Sequence, residues 1–388
     1  MPSERDPATT RLDLVVLANF LALGIIISAV PRYLHGVLHE DRFHTGLGTT
    51  LYFVAALLMR PFIGAAVDRV GRRPFIVYPP IAIGAITLMY LRVHSFPGIA
   101  ALRFVAGGLA ALFFTSVALA VTDLVPADQR TRALGRQSVM TYTGFTLGPI
   151  LTDRLLDHGW TIVWIAPAVL HFITALIAFP VRETRVGPSV GTAKAGFDRR
   201  VVRPAAGIFV ANFTFSAIVA FLPEYCERMR ISRPGALFAT YAVAVLVVRA
   251  LTGGIADRVG PARFTVGTMT VGSVGLLGLV FGTQQWQSFV SIAVIGASLG
   301  STFPAATAAA LQRAGGADRG KAMGTALAVG DVGQASAGPL VGYVSTQLGF
   351  RWVYGIPSLL AVAAVAIVAT MPEVRRRPPV AVIPIAEG

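Results

Sequence analysis

Twelve times in this 388-residue chain a run of about 20 residues passes with little or no charge before a short polar turn interrupts it. A helix needs about 20 residues to cross the ~30 Å hydrocarbon core of a bilayer, and lipid offers no partner to an unpaired backbone N–H or C=O. Runs of this kind must therefore be helices. The expected spans, numbered 1 to 12, are 13–36, 46–67, 75–93, 98–122, 134–156, 161–180, 204–224, 236–256, 264–282, 287–312, 322–346 and 352–371. Only 13% of the residues are charged, about half the share in a soluble domain, and the mean hydropathy is +0.67. The fold class that follows is an all-α integral membrane protein.

A formal charge of +14 would suit a nucleic-acid partner, but the basic residues alternate from loop to loop. With the N-terminus taken as cytoplasmic, the loops on that side hold 21 of the 33 Lys and Arg, and the opposite loops hold five. This is the positive-inside pattern: it places both termini in the cytoplasm, makes the lipid bilayer the partner of the basic surface and leaves nucleic acid out. The first run is too long for a removable leader and lacks a small-residue cleavage site, so it is expected to remain as a span. A single cysteine, Cys226, rules out an internal disulfide and a multi-cysteine metal site, and no cofactor or metal is expected. Arg outnumbers Lys 31 to 2, which suits a GC-rich bacterial genome and a plasma-membrane location.

One charged turn is written twice. Gly64-Ala-Ala-Val-Asp-Arg-Val-Gly71 lies between spans 2 and 3, and Gly253-Gly-Ile-Ala-Asp-Arg-Val-Gly260 repeats its pattern 189 residues later, between spans 8 and 9. In each copy an Arg stands eight residues before the Asp (Arg60, Arg249) and a Phe seven residues after it (Phe75, Phe264). The chain is thus expected to be duplicated. Residues 1–180 would form one six-helix bundle and 204–371 a second, joined by a basic cytoplasmic linker at 181–203 and followed by a cytoplasmic tail at 372–388.

Gly64-x-x-x-Asp68-Arg69-x-Gly71-Arg72-Arg73 resembles the loop between helices 2 and 3 of the major facilitator superfamily. The second copy resembles the loop between helices 8 and 9, with Pro261 and Ala262 in place of the two arginines. The resemblance covers essentially the whole chain. It implies a monomer of twelve transmembrane helices in two bundles related by a pseudo-two-fold axis along the membrane normal, with a small-molecule substrate held between them. It also implies a cytoplasmic gate that closes the outward-facing state, built from Gly64, Asp68, Arg69, Arg72, Asp123, Asp257 and Arg258. In physical terms, Gly64 would let another helix approach, and Asp68 would accept from amides at a helix start and from nearby guanidinium groups. Asp123 is available to Arg69 or Arg72. The plainer alternative is a solvated positive-inside turn.

Ionisable groups inside spans are costly and mark candidate sites. Arg103 heads Arg103-Phe-Val-Ala-Gly-Gly108, and similar stretches mark helix 4 in proton-coupled members of the family; the alternative is a side chain snorkelling to the outer interface. Gly144-x-x-x-Gly148-Pro149 resembles the helix 5 stretch by which antiporters are recognised, although Thr152-Asp153 stands where those proteins end on Gly-Gly. Gly338-Pro339 in span 11 leaves a simple duplicated kink as the other reading. Proton coupling needs a carboxyl whose pKa burial can raise, and Asp331, about ten residues into span 11, is the clearest candidate. It reads either as that carboxyl or as a permanently ionised latch to an Arg. Asp153 and Glu224, near the outer ends, either titrate or pair with Arg154 and Arg228. His171 is expected to be packed.

Asn19, Tyr142, Asn212, Tyr241 and Gln334 are polar groups on spans that line the central cavity in the family. Arg103 and Asp331 are expected to dominate that cavity, which suits a largely apolar or weakly charged solute. The expected function is export of a small organic compound (a drug, antibiotic or metabolite) in exchange for protons by alternating access, as in the twelve-helix drug:proton antiporters. Proton-linked uptake of a small metabolite is the alternative that Arg103 and the turn allow and span 5 disfavours. A membrane-embedded hydrolase would need a His-Glu, Asp-Asp or Ser-His cluster at depth, and none occurs; the protein is not expected to be an enzyme. The longest loop, the 23-residue linker, has no room for a sensor domain.

Overall fold

The computed structural model describes residues 7–126, 129–184, 197–252, 254–314 and 319–375, with the side chains of 131, 132, 257, 319 and 320 also outside the description. Among these described residues twelve long helices follow one another. Helices 1 to 6 are Pro7–Gly36, Arg42–Val70, Arg73–Met89, Phe96–Asp123, Arg130–Leu156 and Trp160–Ala178. Helices 7 to 12 are Val202–Arg228, Pro234–Thr252, Pro261–Phe281, Gln285–Ala314, Arg319–Leu348 and Trp352–Ala369. Each coincides with one expected span, and most run a few residues beyond it, because interfacial polar residues continue a helix without being apolar. Helices 3 and 8 depart most, each ending four residues before its expected span does. Helix 8 stops at Thr252, since Gly254 takes φ +87° and ends the run before a short helix, Ile255–Val259.

Among the described residues nine helices are long and apolar enough to cross a membrane; helix 3 is shorter, at 17 residues. Helices 5 and 11 fall short because they exchange bulky apolar residues for Gly, Ser and Thr, the residues that let helices approach closely where lipid is not the neighbour. Helices 1 and 7 sit at the centre: 78% of the apolar window of each is buried, against 28% for helix 2 and 33% for helix 8. Helices that are apolar all round have no side they must turn to water.

The duplication is visible contact by contact. A Cβ added to Gly144 would strike the backbone of Phe20 and Leu21 in helix 1, and one added to Gly333 would strike the Phe209 carbonyl in helix 7. Likewise Gly107 packs on the Tyr52 carbonyl and Gly296 on that of Tyr241. Each pair of contacts is related by the offset of 189 found in the turns. The repeated sequence therefore packs as a repeated structure.

Both the N-terminal start of helix 1 and the end of helix 12 lie at the same end as the Gly64–Pro74 turn, here called the basic end. Only part of the linker is described. Its last residues are pinned by Asp198, whose backbone N–H donates to Thr325 Oγ1 of helix 11 at 2.9 Å. The Arg200 side chain on Asp198 holds that carboxyl below the usual carboxylate range.

Candidate functional site

At the end opposite the basic turn the two six-helix halves are sewn together. Gly46 of helix 2 and Gly338 of helix 11 touch backbone to backbone, and Gly235 of helix 8 lies against the Pro149 carbonyl of helix 5. These two approaches are again 189 residues apart, and in each a side chain would force the helices apart. Arg42 donates to Glu224 at 2.8–3.1 Å and to the Ser345 carbonyl at 3.0 Å. Asp153 accepts from the Gly235 amide at 2.7 Å and pairs with Arg32 at 2.7 Å. Asp153 is therefore not partnered as expected, since its cation comes from helix 1 and not from neighbouring Arg154. Glu224 does take Arg228, at 3.0 Å, and Arg42 in addition.

Between the halves lies a cavity of about 720 Å³ that reaches the basic end at Leu134, four residues into helix 5, and at Leu311, near the end of helix 10. Its walls are mostly aromatic and aliphatic, with Phe114, Phe145, Phe215 and Phe303 prominent. Tyr142, Asn212, Tyr241 and Gln334 line it. Asn19 does not. It lies with Arg103, Tyr52, Tyr90 and His171 around a small internal void of about 10 Å³ inside the first half.

Arg103 belongs to that void and neither snorkels nor enters the cavity. It is 1% exposed, donates to the Thr49 carbonyl at 3.1 Å and stands 4.7 Å from the centre of the Tyr52 ring. Asp331 is also absent from the cavity wall, and Arg60 of helix 2 takes its carboxylate through Nε and Nη2, the latter at 2.9 Å. The pair expected to dominate the cavity is thus divided between two other places. Helical wheels place a residue on a face; they do not say which neighbour that face meets.

Among the described residues, the one formal charge in the cavity wall is Arg249 of helix 8. Its Nη2 donates to the Tyr142 hydroxyl at 3.0 Å, its Nε to the Gly300 carbonyl at 3.1 Å, and its guanidinium stands 4.4 Å from the centre of the Tyr142 ring. Arg60 and Arg249 were flagged by the repeat, as the Arg before each turn, but no signal in one sequence showed that each crosses to the other half.

At the basic end Arg72 pairs with Asp123 at 3.1 Å and lies 3.5 Å from Asp68. The amides at the start of helix 3 are taken by Glu183, which accepts from Arg72 N at 2.9 Å and Arg73 N at 3.1 Å. Asp68 was expected in that role. Glu183 follows helix 6, more than 100 residues away, and nothing in the sequence pointed to it. Gly64 also differs from expectation, since a Cβ there meets open space; the glycine that the turn needs is Gly71, with φ +103°. Arg69 and Arg258 are exposed at this end. Gly253 and the side chain of Asp257 lie outside the described residues. On helix 5, Gly144 and Gly148 pack on helix 1 around Gly24, and Thr152 donates across to the Ile25 carbonyl at 3.2 Å.

Two homologous helical halves, closed against each other at one end and parted by a cavity open towards the other, define a membrane transport protein and not an enzyme. The sequence agrees: the Major Facilitator Superfamily profile matches residues 12–282 and 205–387, and the chain belongs to that family. An uncharacterized MFS-type transporter of Pseudomonas aeruginosa is 24% identical over 391 residues, covering 97% of this chain and 96% of its own. Among solved structures, a bacterial homolog of the human lysosomal transporter Spinster, in its inward-facing and unoccupied conformation, aligns with a TM-score of 0.80 at 14% identity, over 98% of this chain and 100% of its own. The nucleoside transporter NupG aligns with a TM-score of 0.79 at 13% identity, over 93% and 99%. The protein is a multi-pass membrane transporter of small molecules.

Proposed function

We propose that this transporter exports a small, largely apolar organic compound in exchange for protons across the bacterial inner membrane, acting as a monomer. The observation that carries the reading is the pairing of an aromatic cavity of about 720 Å³ with a carboxylate, Asp331, held across the halves by Arg60. The cavity opens at the basic end, which the positive-inside rule assigns to the cytoplasm together with both termini. A compound then enters from the cytoplasm or inner leaflet. Residues 1–180 and 204–371 rock against each other about the site, with the linker at 181–203 between them. A proton reaching Asp331 removes the charge that holds Arg60 and loosens the contact between helices 2 and 11, which links protonation to conformation. Arg103 supports this indirectly, by fixing helix 4 against helix 2, and Asp68, Arg72 and Asp123 brace the turn that moves with the basic ends. Gly144, Gly148 and Pro149 support the antiport direction through their resemblance to the helix 5 stretch of antiporters, and Gly144 and Gly148 also give helix 5 a close contact with helix 1.

The test is reconstitution in liposomes with an imposed pH gradient and lipophilic dyes and antibiotics as probes. Substrate-dependent proton movement opposite to the compound is expected. Movement of both in the same direction would reverse the assignment to uptake.

A further inference from the structure

The two cross-half arginine contacts are images of each other. Arg60 and Arg249 are 189 residues apart, and so are their partners, Tyr142 and Asp331. In one interface Arg60 of helix 2 meets a carboxylate on helix 11; in the other Arg249 of helix 8 meets a phenol on helix 5. The first guanidinium is neutralised. The second is not: among the described residues no carboxylate stands within ion-pair distance of Arg249, and none occurs in the cavity wall that it faces. Two of its five N–H groups are taken, by Tyr142 and Gly300, and the residue lines a cavity rich in aromatic rings, among them Phe114, Phe145, Phe215 and Phe303.

We propose that Arg249 is the substrate-binding cation and that the substrate is an organic monoanion, an aromatic or branched body carrying one carboxylate or sulfonate. This rests on the transport reading above and names its substrate class. The bound anion supplies, in the second interface, the charge that Asp331 supplies in the first. A guanidinium in a low-dielectric site recognises a carboxylate strongly, through short bidentate hydrogen bonds between two opposite charges, which a neutral amide matches only with one carbonyl acceptor and no charge of its own. The phenyl rings beside it hold the body of the ligand by apolar contact. A cation of the same shape would meet Arg249 with no acid to offset it.

The test uses three probes of nearly equal shape, naphthoate, naphthamide and naphthylmethylammonium, titrated calorimetrically into the purified full-length transporter. Naphthoate is expected to bind at least about tenfold tighter than the other two. Arg249→Gln should remove that preference and Arg249→Lys should keep part of it. Tyr142→Asp places a carboxylate at the position equivalent to Asp331 and should remove the preference with Arg249 intact, whereas Tyr142→Phe should retain it, which separates occupancy of the guanidinium from damage to the cavity wall. Equal or absent binding of naphthoate to the wild type overturns the proposal, as does a preference that survives Arg249→Gln or Tyr142→Asp. Failure here is distinct from failure of the transport reading. Proton-coupled dye movement without anion preference leaves exchange standing and removes the anion site; Arg249-dependent anion binding without proton movement does the reverse.

Discussion

Asp331→Asn keeps the shape of the side chain and removes its charge, so it holds helix 11 in the form it would have after protonation. In the structure the carboxylate receives two N–H groups of Arg60, with the Asp331 side chain 14% exposed and that of Arg60 43% exposed. A fully exposed ion pair contributes about 0–1 kcal/mol and breaking a buried one costs about 3–5 kcal/mol. A half-exposed, two-point pair belongs between them, at about 1–2 kcal/mol, which shifts the balance between the two conformations by roughly 5- to 30-fold. The Asn variant can neither take up nor release a proton at this site. In liposomes, its net transport under an imposed pH gradient should fall at least about tenfold, while exchange of unlabelled for labelled substrate at equal pH should stay within about threefold of wild type, because exchange needs only the alternating motion. The single native cysteine, Cys226, is buried, so a cysteine-free background for reporting the motion needs one substitution. Undiminished uphill transport by Asp331→Asn would refute the reasoning and return Asp331 to a purely structural contact.

Further outcomes follow from the packing. Asp68→Asn should strongly reduce transport while the amount of protein in the membrane stays normal, because it takes one acid from the cluster around Arg72; unchanged transport would make the turn a mere solvated loop. Gly148→Val places side-chain atoms in the backbone of Gly24 and should destabilise the protein by about 1–3 kcal/mol or more, read as a lower melting temperature in detergent. Gly64→Ala, whose Cβ meets open space, should melt with wild type, whereas Gly71→Ala is forced to keep φ near +103° and to displace Glu183, and should melt lower.

The sequence by itself determined the helices, their number, and the duplication. A bilayer leaves a long apolar run no other structure, and an offset of 189 shared by Gly, Asp, Arg and Phe positions is visible without coordinates. The offset even foretold contacts, since Gly107 on Tyr52 and Gly296 on Tyr241 obey it. Facing was not legible. In a soluble helix the polar stripe marks the outside, but lipid and protein interior are equally apolar, so helices 1, 2 and 4 carry no periodicity that says whether Asn19 and Arg103 look into the central cavity or into their own bundle. Only the tertiary structure decided that they share a void within the first half, that Asp331 is held by Arg60, and that Arg249 lines the central cavity. Glu183 makes the same point at the basic end: a carboxylate far along the chain reaches the helix 3 amides only because helices 3 and 6 pack side by side.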